Sequence, residues 1–465
     1  MVAATGTRPI RASPWTRFAS AFAPPRLPPT SRRAFRFQMA YTLLDAVFAG
    51  ILGNAPLMAV KAMGATDVQL ELPLAMASLG LFGAVFSGAA MAGRRKKPFV
   101  VVPGVAGAIA AFLMAWMNSA QWFLAISGVI SICDFAMRPA VPSIVRVIYP
   151  PHCRAHVSGT LRQYSSIAFL AATLLSASSL SVAGQHVRSL IHLQLALAGL
   201  ASLAAYACFQ QLPDRGDGDP DEAAPETSPE EDHKYPSLTP LYDRRFRRYL
   251  ACFFVYGFSN LFHSGIVPAF FARDLGLGYL QATLLLHIIP NVTAFLAGGR
   301  LTAWFDRTTI WRGYSFVALM WGLDPVLLAA LPSFWPTVIA ARVMRGPATL
   351  GSMVLCFFTG VHSFARPGRN TSRYMSALFL VNGVARLAAP TCAAIMLGYW
   401  SRRSILLAGG IGVLVASAMF LWNDRWDGRQ ISKQWRVRPH AGDLLPESEP
   451  RFSAPVADSG GLDRT

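Results

Sequence analysis

Charge is scarce in this 465-residue sequence: 14% of its residues are Asp, Glu, Lys or Arg and 53% are hydrophobic, whereas soluble domains carry about 25% charged residues. That scarcity excludes a single soluble core as the organising unit. Acid is scarcer than base, with 24 carboxylates against 42 lysines and arginines and a net charge of +18. The bases fall in short clusters between apolar runs rather than on one domain, which argues against nucleic acid as a partner. Six cysteines occur without one CxxC spacing, and most lie inside apolar runs, where a thiol behaves as a small hydrophobe. Neither a disulfide framework nor a metal site is expected. No GxxxxGK[ST] phosphate loop occurs, nor any Gly-Lys dipeptide, so an ATP-driven pump within this chain is disfavoured and no cofactor is expected. HExxH and GxSxG are missing too, as is any convergent His, Asp or Ser set at a membrane face. The sequence therefore predicts no enzyme.

What the chain has instead is hydrocarbon. Twelve runs are long enough to cross a bilayer, roughly 36–60, 72–92, 99–117, 121–148, 163–183, 188–211, 249–272, 279–299, 313–332, 335–361, 374–398 and 403–422. A bilayer core offers backbone polar groups no water, so these runs must be helices. Positive charge is concentrated in alternate loops: "RRAFR", "GRRKKP", "PPHCRAHVSGTLR", "DRRFRR", "DRTTIWR", "ARPGRNTSR" and the tail fall on one side, and the less basic "VKAMGATDVQLE", "MNSAQ", "VAGQHVR", "RDLGLG", "LPSFWP" and "WSRRS" on the other. The positive-inside rule then places both termini in the cytoplasm.

Between the sixth and seventh runs the composition changes. "PDRGDGDPDEAAPETSPEEDHKYP" holds nine of the 24 carboxylates and cannot pack a core. The expected organisation is a basic, disordered N-terminal arm over 1–34, a six-helix half over 35–211, an acidic disordered linker over 212–243, a second six-helix half over 244–424 and a cytoplasmic tail over 425–465. The arm is rich in Arg, Ser and Pro without acid, which also fits an organelle transit peptide. An internal repeat supports the division. Shifting by 212 residues lays Arg32-Arg33 on Arg244-Arg245, Pro56 on Pro268, Gly64 on Gly276 and Gln69 on Gln281, and shifting by 207 lays Met137-Arg138 on Met344-Arg345.

The stretch "GGRLTAWFDRTTIWRGY" contains Gly299, Ala303, Asp306-Arg307 and Arg312 between the second and third runs of the second half. Its first-half counterpart, "SGAAMAGRRKKPF", keeps Gly88, Arg94, Arg95, Lys96 and Lys97 but has no aspartate. With twelve runs, paired halves and "ARVMRG" at 341–346, the chain resembles the major facilitator superfamily of secondary transporters over about 32–425. The resemblance implies an all-α integral membrane fold of twelve transmembrane helices in two pseudo-symmetric halves. It implies gating by Asp306, Arg307, Arg312, Arg94 and Arg95, a carboxylate at a helix end holding the cytoplasmic face closed against a positive cluster. It also implies alternating access around a midplane site. The fifth run lacks the Gly-Pro signature of the superfamily's drug antiporters, which disfavours a lipophilic-cation exporter. A non-transporting sensor or scaffold stays open as another class.

Seven ionisable residues fall well inside the runs: Asp45, Asp134, Arg138, Asp324, Arg342, Arg345 and Arg386. Each costs about 2.5–3.5 kcal/mol on insertion scales and needs a partner, a wet cavity or a job. Asp134 and Arg138 can pair along one helix face, whereas Arg342 and Arg345 require carboxylates from other helices, an anion or water. Arg386, with Asn382 one turn earlier, is the best candidate to hold an anionic or polar group. Arg345, Arg138, Asp134, Asn382 and His263 complete the expected substrate-binding set, and Asp45 is the expected proton-coupling site. Four cations against three anions lean towards an organic anion or zwitterion as the small-molecule substrate, carried with a coupling ion, expected to be a proton. One chain supplies both halves, so a monomer in the lipid bilayer of a bacterial inner or plasma membrane is expected.

Overall fold

The structure is a computed structural model that describes residues 27, 29–91, 94–138, 140–149, 151–213, 243–305, 307–354, 364 and 371–434. The expected N-terminal arm up to residue 26, most of the acidic linker (214–242), the end of the tail (435–465) and Asp306 lie outside the described residues. Within them the chain is helical and contains no strand. The helices are α1 (Pro29–Leu52), α2 (Ala55–Ala62), α3 (Asp67–Ala90), α4 (Pro98–Met114), α5 (Ala120–Met137), α6 (Ala140–Ile148), α7 (Pro151–Val182) and α8 (Val187–Gln210). After the linker come α9 (Arg244–Ser264), α10 (Tyr279–Phe305), α11 (Ile310–Ala330), α12 (Trp335–Val354), α13 (Thr371–Met396) and α14 (Arg402–Gln434). Among the described residues nine helical segments are long and apolar enough to cross a membrane, and Pro98–Met114 is apolar but shorter. The protein is an integral, multi-pass membrane protein.

Helix ends follow from local chemistry. Asp243 caps α9 by accepting from the amides of Arg245 and Phe246, and Thr309 caps α11 by accepting from Arg312. With no hydrophobic force between helices in lipid, close packing depends on small residues. A Cβ placed on Gly80 of α3 would lie 2.7 Å from the carbonyl of Ile132 on α5, and one on Gly322 of α11 would lie 3.0 Å from the carbonyl of Gly410 on α14. Larger side chains there would push the helix pairs apart.

Two interruptions matter for the site. After Leu52 the first span bends and resumes as α2; after Ser264 the seventh bends and resumes at Val267–Ala269, followed by a π-helical turn at Phe270–Asp274. A second π turn, Leu284–Ile288, interrupts α10 just before Pro290. Proline has no N–H to give the preceding turn, so the hydrogen-bond ladder must be rearranged around it.

The two halves meet through α3 against α13, α7 against the start of α10, and α2 against the segment 267–274. Buried apolar residues form one continuous core at this last junction, including Leu57 and Met58 from the first half and Phe270 and Phe271 from the second. Towards the opposite face the core splits, into one cluster drawn from residues 27–212 and another drawn from residues 246–420. The halves thus share a core at one face and separate towards the other.

Candidate functional site

The shared face is sealed by polar bonds between the halves. Lys61 Nζ donates to the carbonyl of Leu277 at 2.6 Å, and Arg273 donates to the carbonyl of Ala65. Asp67 receives Arg273 at 2.7 Å and Arg402 at 2.6 Å, and Arg402 also reaches Asp274 at 2.9 Å. Beneath these, Thr283 donates to Asn54 at 2.8 Å, and His287, carried on the π turn of α10, meets the carbonyl of Gly53 at 2.9 Å. Asn54 is fully buried and also donates to the carbonyl of Thr173 and the hydroxyl of Ser176.

Below the seal lies a cavity of about 550 Å³. It runs from Gly53 and Asn291 at the closed end, past Asp45, Ser131 and Asp134, to Arg138 and Arg162, both of which are exposed. A smaller recess of about 320 Å³ adjoins it at Gly53 and Asn291 and is lined by His287, Trp321, Arg345 and Thr349. Both hollows therefore meet where α1 faces α10, at the junction of the halves.

Asp45 reaches the large cavity from α1 and makes no hydrogen bond or ion pair among the described residues. Asp134, also on its wall, is the charged neighbour that bears on it. Asp134 is paired with Arg138 as the four-residue spacing predicts, through contacts of 2.7 and 3.1 Å. Arg138 also stacks over Phe135, its guanidinium carbon 4.2 Å from the ring centroid, and Arg386 stacks over the same ring at 4.8 Å. Phe135 belongs to the first half and Arg386 to the second, so one aromatic ring bears a cation from each. Arg386 is not on the wall of either hollow, and its Nε is buried without a hydrogen-bond acceptor among the described residues.

Arg342 and Arg345 find their carboxylate on a neighbouring helix. Asp324 of α11 receives both, Arg345 at 2.9 Å and Arg342 through a fully buried contact. Arg342 is thereby tied into the interior. Arg345 keeps its guanidinium 4.3 Å from the ring of Trp321 and lines the smaller recess.

The remaining expected residues fall elsewhere. His263 is fully buried, with Nδ1 on the carbonyl of Ser259, and packs against Gly409 of α14. Asn382 faces Gly257 where α13 crosses α9. Arg312 binds Asp424 of α14 at 2.7 Å, a contact within the second half, while Arg94, Arg95 and Arg307 are exposed. Lys61, Asp67, Arg273, Asp274 and Arg402 of the seal, Arg162, Ser131 and Phe135 around the cavity, and Glu71 of α3, which abuts Gly265 of the other half, were not singled out for the site from the sequence. Serines and phenylalanines recur throughout the spans and carry no distinguishing pattern. Arg162 and Glu71 sit near span ends, where charge is unremarkable.

A helical membrane bundle whose halves enclose a central, one-sided cavity has the architecture of a secondary transporter. The family model of the Major Facilitator Superfamily matches residues 37–324, and the chain belongs to that superfamily. Its fold is similar to that of the nucleoside transporter NupG (TM-score 0.62, 15% identity, covering 85% of this chain and 99% of that one). It is similar also to a POT family transporter in complex with 5-aminolevulinic acid (0.64, 13%, 83% and 95%). A third likeness is to a bacterial homologue of the human lysosomal transporter Spinster (0.58, 15%, 85% and 97%). No curated protein matches the sequence closely enough to count as a relative.

Proposed function

We propose that this major facilitator superfamily transporter moves a small organic anion or zwitterion, coupled to a proton gradient, and that it is not an enzyme. The observation that carries the reading is the charge pattern of the two joined hollows. Three cations, Arg138, Arg162 and Arg345, line them against two carboxylates, Asp45 and Asp134. Asp134 is already paired with Arg138, and Asp45 has no hydrogen-bond or ion-pair partner among the described residues. When Asp45 carries a proton the walls hold three cations and one anion, which favours an anionic guest. When Asp45 is ionised that preference is weaker. A carboxylate that alternates between dry and wet surroundings can therefore link proton and substrate occupancy.

The positive-inside pattern assigns the sealed face to the outside, so the cavity opens to the cytoplasm. Arg386 then acts as a reserve cation. It is held on Phe135 in this conformation and released when the halves rock, a cation–π contact being worth only about 0.5–2 kcal/mol. One chain forms the whole pathway, and a monomer in a bacterial inner or plasma membrane suffices. The NupG and POT likenesses fit a polar-solute pathway through this fold.

A thermal-stability screen of the purified protein tests the reading, because a ligand that binds only the folded state raises its apparent stability. Small carboxylates or phosphates should stabilise the protein, and the effect should be lost in Arg138→Gln or Arg345→Gln. Stabilisation by lipophilic cations alone would replace it with a drug-exporter reading. A blank across carboxylates, phosphates, sugars and amino acids would favour a protein that no longer carries small molecules.

A further inference from the structure

We propose that Glu71 is a proton-binding site that makes closure of the sealed face depend on pH. Glu71 lies on α3 one turn after Asp67, is 2% exposed, and has both carboxylate oxygens buried without a hydrogen-bond partner among the described residues. It abuts the other half of the molecule: a Cβ placed on Gly265 would lie 2.4–2.5 Å from the carboxyl group.

The internal repeat explains why the carboxyl is alone. Shifted by 212 residues, Gly53 falls on Gly265, Asn54 on Ile266 and Glu71 on Thr283. In one copy Thr283 crosses between the halves to donate to Asn54. In the other, the position equivalent to Asn54 is isoleucine, which offers no hydrogen bond, and the position equivalent to Thr283 is Glu71. One junction is thus closed by a satisfied polar pair and its counterpart by an orphaned carboxyl.

Charged groups on the surrounding elements are engaged elsewhere. Asp67 is the charged neighbour that bears on Glu71, and it holds Arg273 and Arg402. Asp274 also holds Arg402, and Lys61 donates to Leu277. His263 is on Ser259, Asp134 of α5 is on Arg138, and Arg386 of α13 is on Phe135. None of these contacts supplies a cation to Glu71. An ionised carboxylate without a partner in such surroundings is far costlier than a neutral one. Closure therefore takes up one proton from the solution on that side, and opening, which wets Glu71, returns it. The sign follows: above the ordinary carboxylate range, rising pH works against the closed state.

The inference rests on the transporter reading only in that the two faces open alternately; it needs no substrate. Hydrogen–deuterium exchange on the ligand-free, full-length protein in nanodiscs reads closure as protection of residues 55–70 and 264–280. Corrected for intrinsic exchange, wild-type protection should fall between about pH 5.5 and about pH 8, by up to about tenfold per pH unit, the limit for one linked proton. Glu71→Gln, and independently Glu71→Met, should hold these segments protected at both values. A wild-type pH response that persists in both variants overturns the proposal. So does a Gln variant that fails to fold, because a neutral isostere is what the closed face is proposed to contain. A response lost in Asp45→Asn but kept in Glu71→Gln would move the proton to Asp45 and leave the transporter reading standing.

Discussion

Lys61 and Arg273 are counterparts 212 residues apart, and each crosses to the other's half: Lys61 donates to the carbonyl of Leu277, and Arg273 to that of Ala65, itself the counterpart of Leu277. The contact is a pseudo-two-fold pair, with the same positions in the two copies exchanging one bond each way. Gly64 and Gly276 make it possible. Both hold left-handed backbone, with φ of 69° and 64°, a conformation other residues enter only with strain. Gln69 and Gln281 cap the helices that follow, accepting from the amides of Thr66 and Gly278.

Removing either cation should loosen the sealed face to a similar extent. A charge-assisted hydrogen bond contributes about 1.5–3 kcal/mol, so Lys61→Met and Arg273→Met should each cut protection of residues 55–70 and 264–280 by roughly tenfold or more. Arg273→Met should be somewhat the worse, because Arg273 also holds Asp67. If exchange in these segments is unchanged in both variants, the face is held by its apolar core alone.

The repeat, the membrane-spanning helical character and the Asp134–Arg138 pair were legible in the sequence because each follows from spacing along one chain, while nine of the twelve expected runs are matched in number by long apolar helices among the described residues. Hydropathy gives depth in the membrane but not the direction a side chain points around the helix. It therefore marks Asp45, Asp324 and Arg386 equally as intramembrane charges and cannot tell which faces the cavity, which is locked inside and which rests on a ring. Glu71 shows the same limit. It precedes the second expected span, where acid needs no explanation, and only the packing of α3 against the second half reveals that it is dry. His263 and His287 also look alike in sequence. The π turn that brings His287 to Gly53, and the glycine-lined crossing that encloses His263, are backbone features that residue type does not announce.

Asp45 should separate coupling from binding. Asp45→Asn removes the titrating group but keeps a polar side chain of similar size on the cavity wall. Exchange of labelled substrate across liposomes should persist, while accumulation driven by an imposed proton gradient should be abolished. Loss of both activities in a well-folded variant would instead make Asp45 part of the binding surface.

Phe135 should control the availability of Arg386. In Phe135→Ala the guanidinium loses its ring, so an anion found in the stability screen should bind more tightly, by up to about tenfold, if Arg386 is a reserve ligand; a cation–π contact spans about 0.5–2 kcal/mol. The double variant Phe135→Ala with Arg386→Gln should lose that gain. Equal affinity in wild type and Phe135→Ala would show that Arg386 contributes to helix packing and not to the guest.

Asp324 should prove structural and Arg345 functional, although they touch. Asp324 and Arg342 are essentially inaccessible, whereas 18% of the Arg345 side chain is exposed, towards the smaller recess. Asp324→Asn leaves two guanidiniums without their carboxylate, one of them fully buried. Breaking a buried pair from one side costs about 3–5 kcal/mol, so the variant should melt several degrees lower or fail to accumulate in the membrane. Arg345→Gln leaves Asp324 paired with Arg342 and should fold, with a small change in melting temperature but loss of anion-induced stabilisation. The reverse pattern, a tolerated Asp324→Asn and an unfolded Arg345→Gln, would place the structural ion pair on Arg345 and remove it from the substrate pathway.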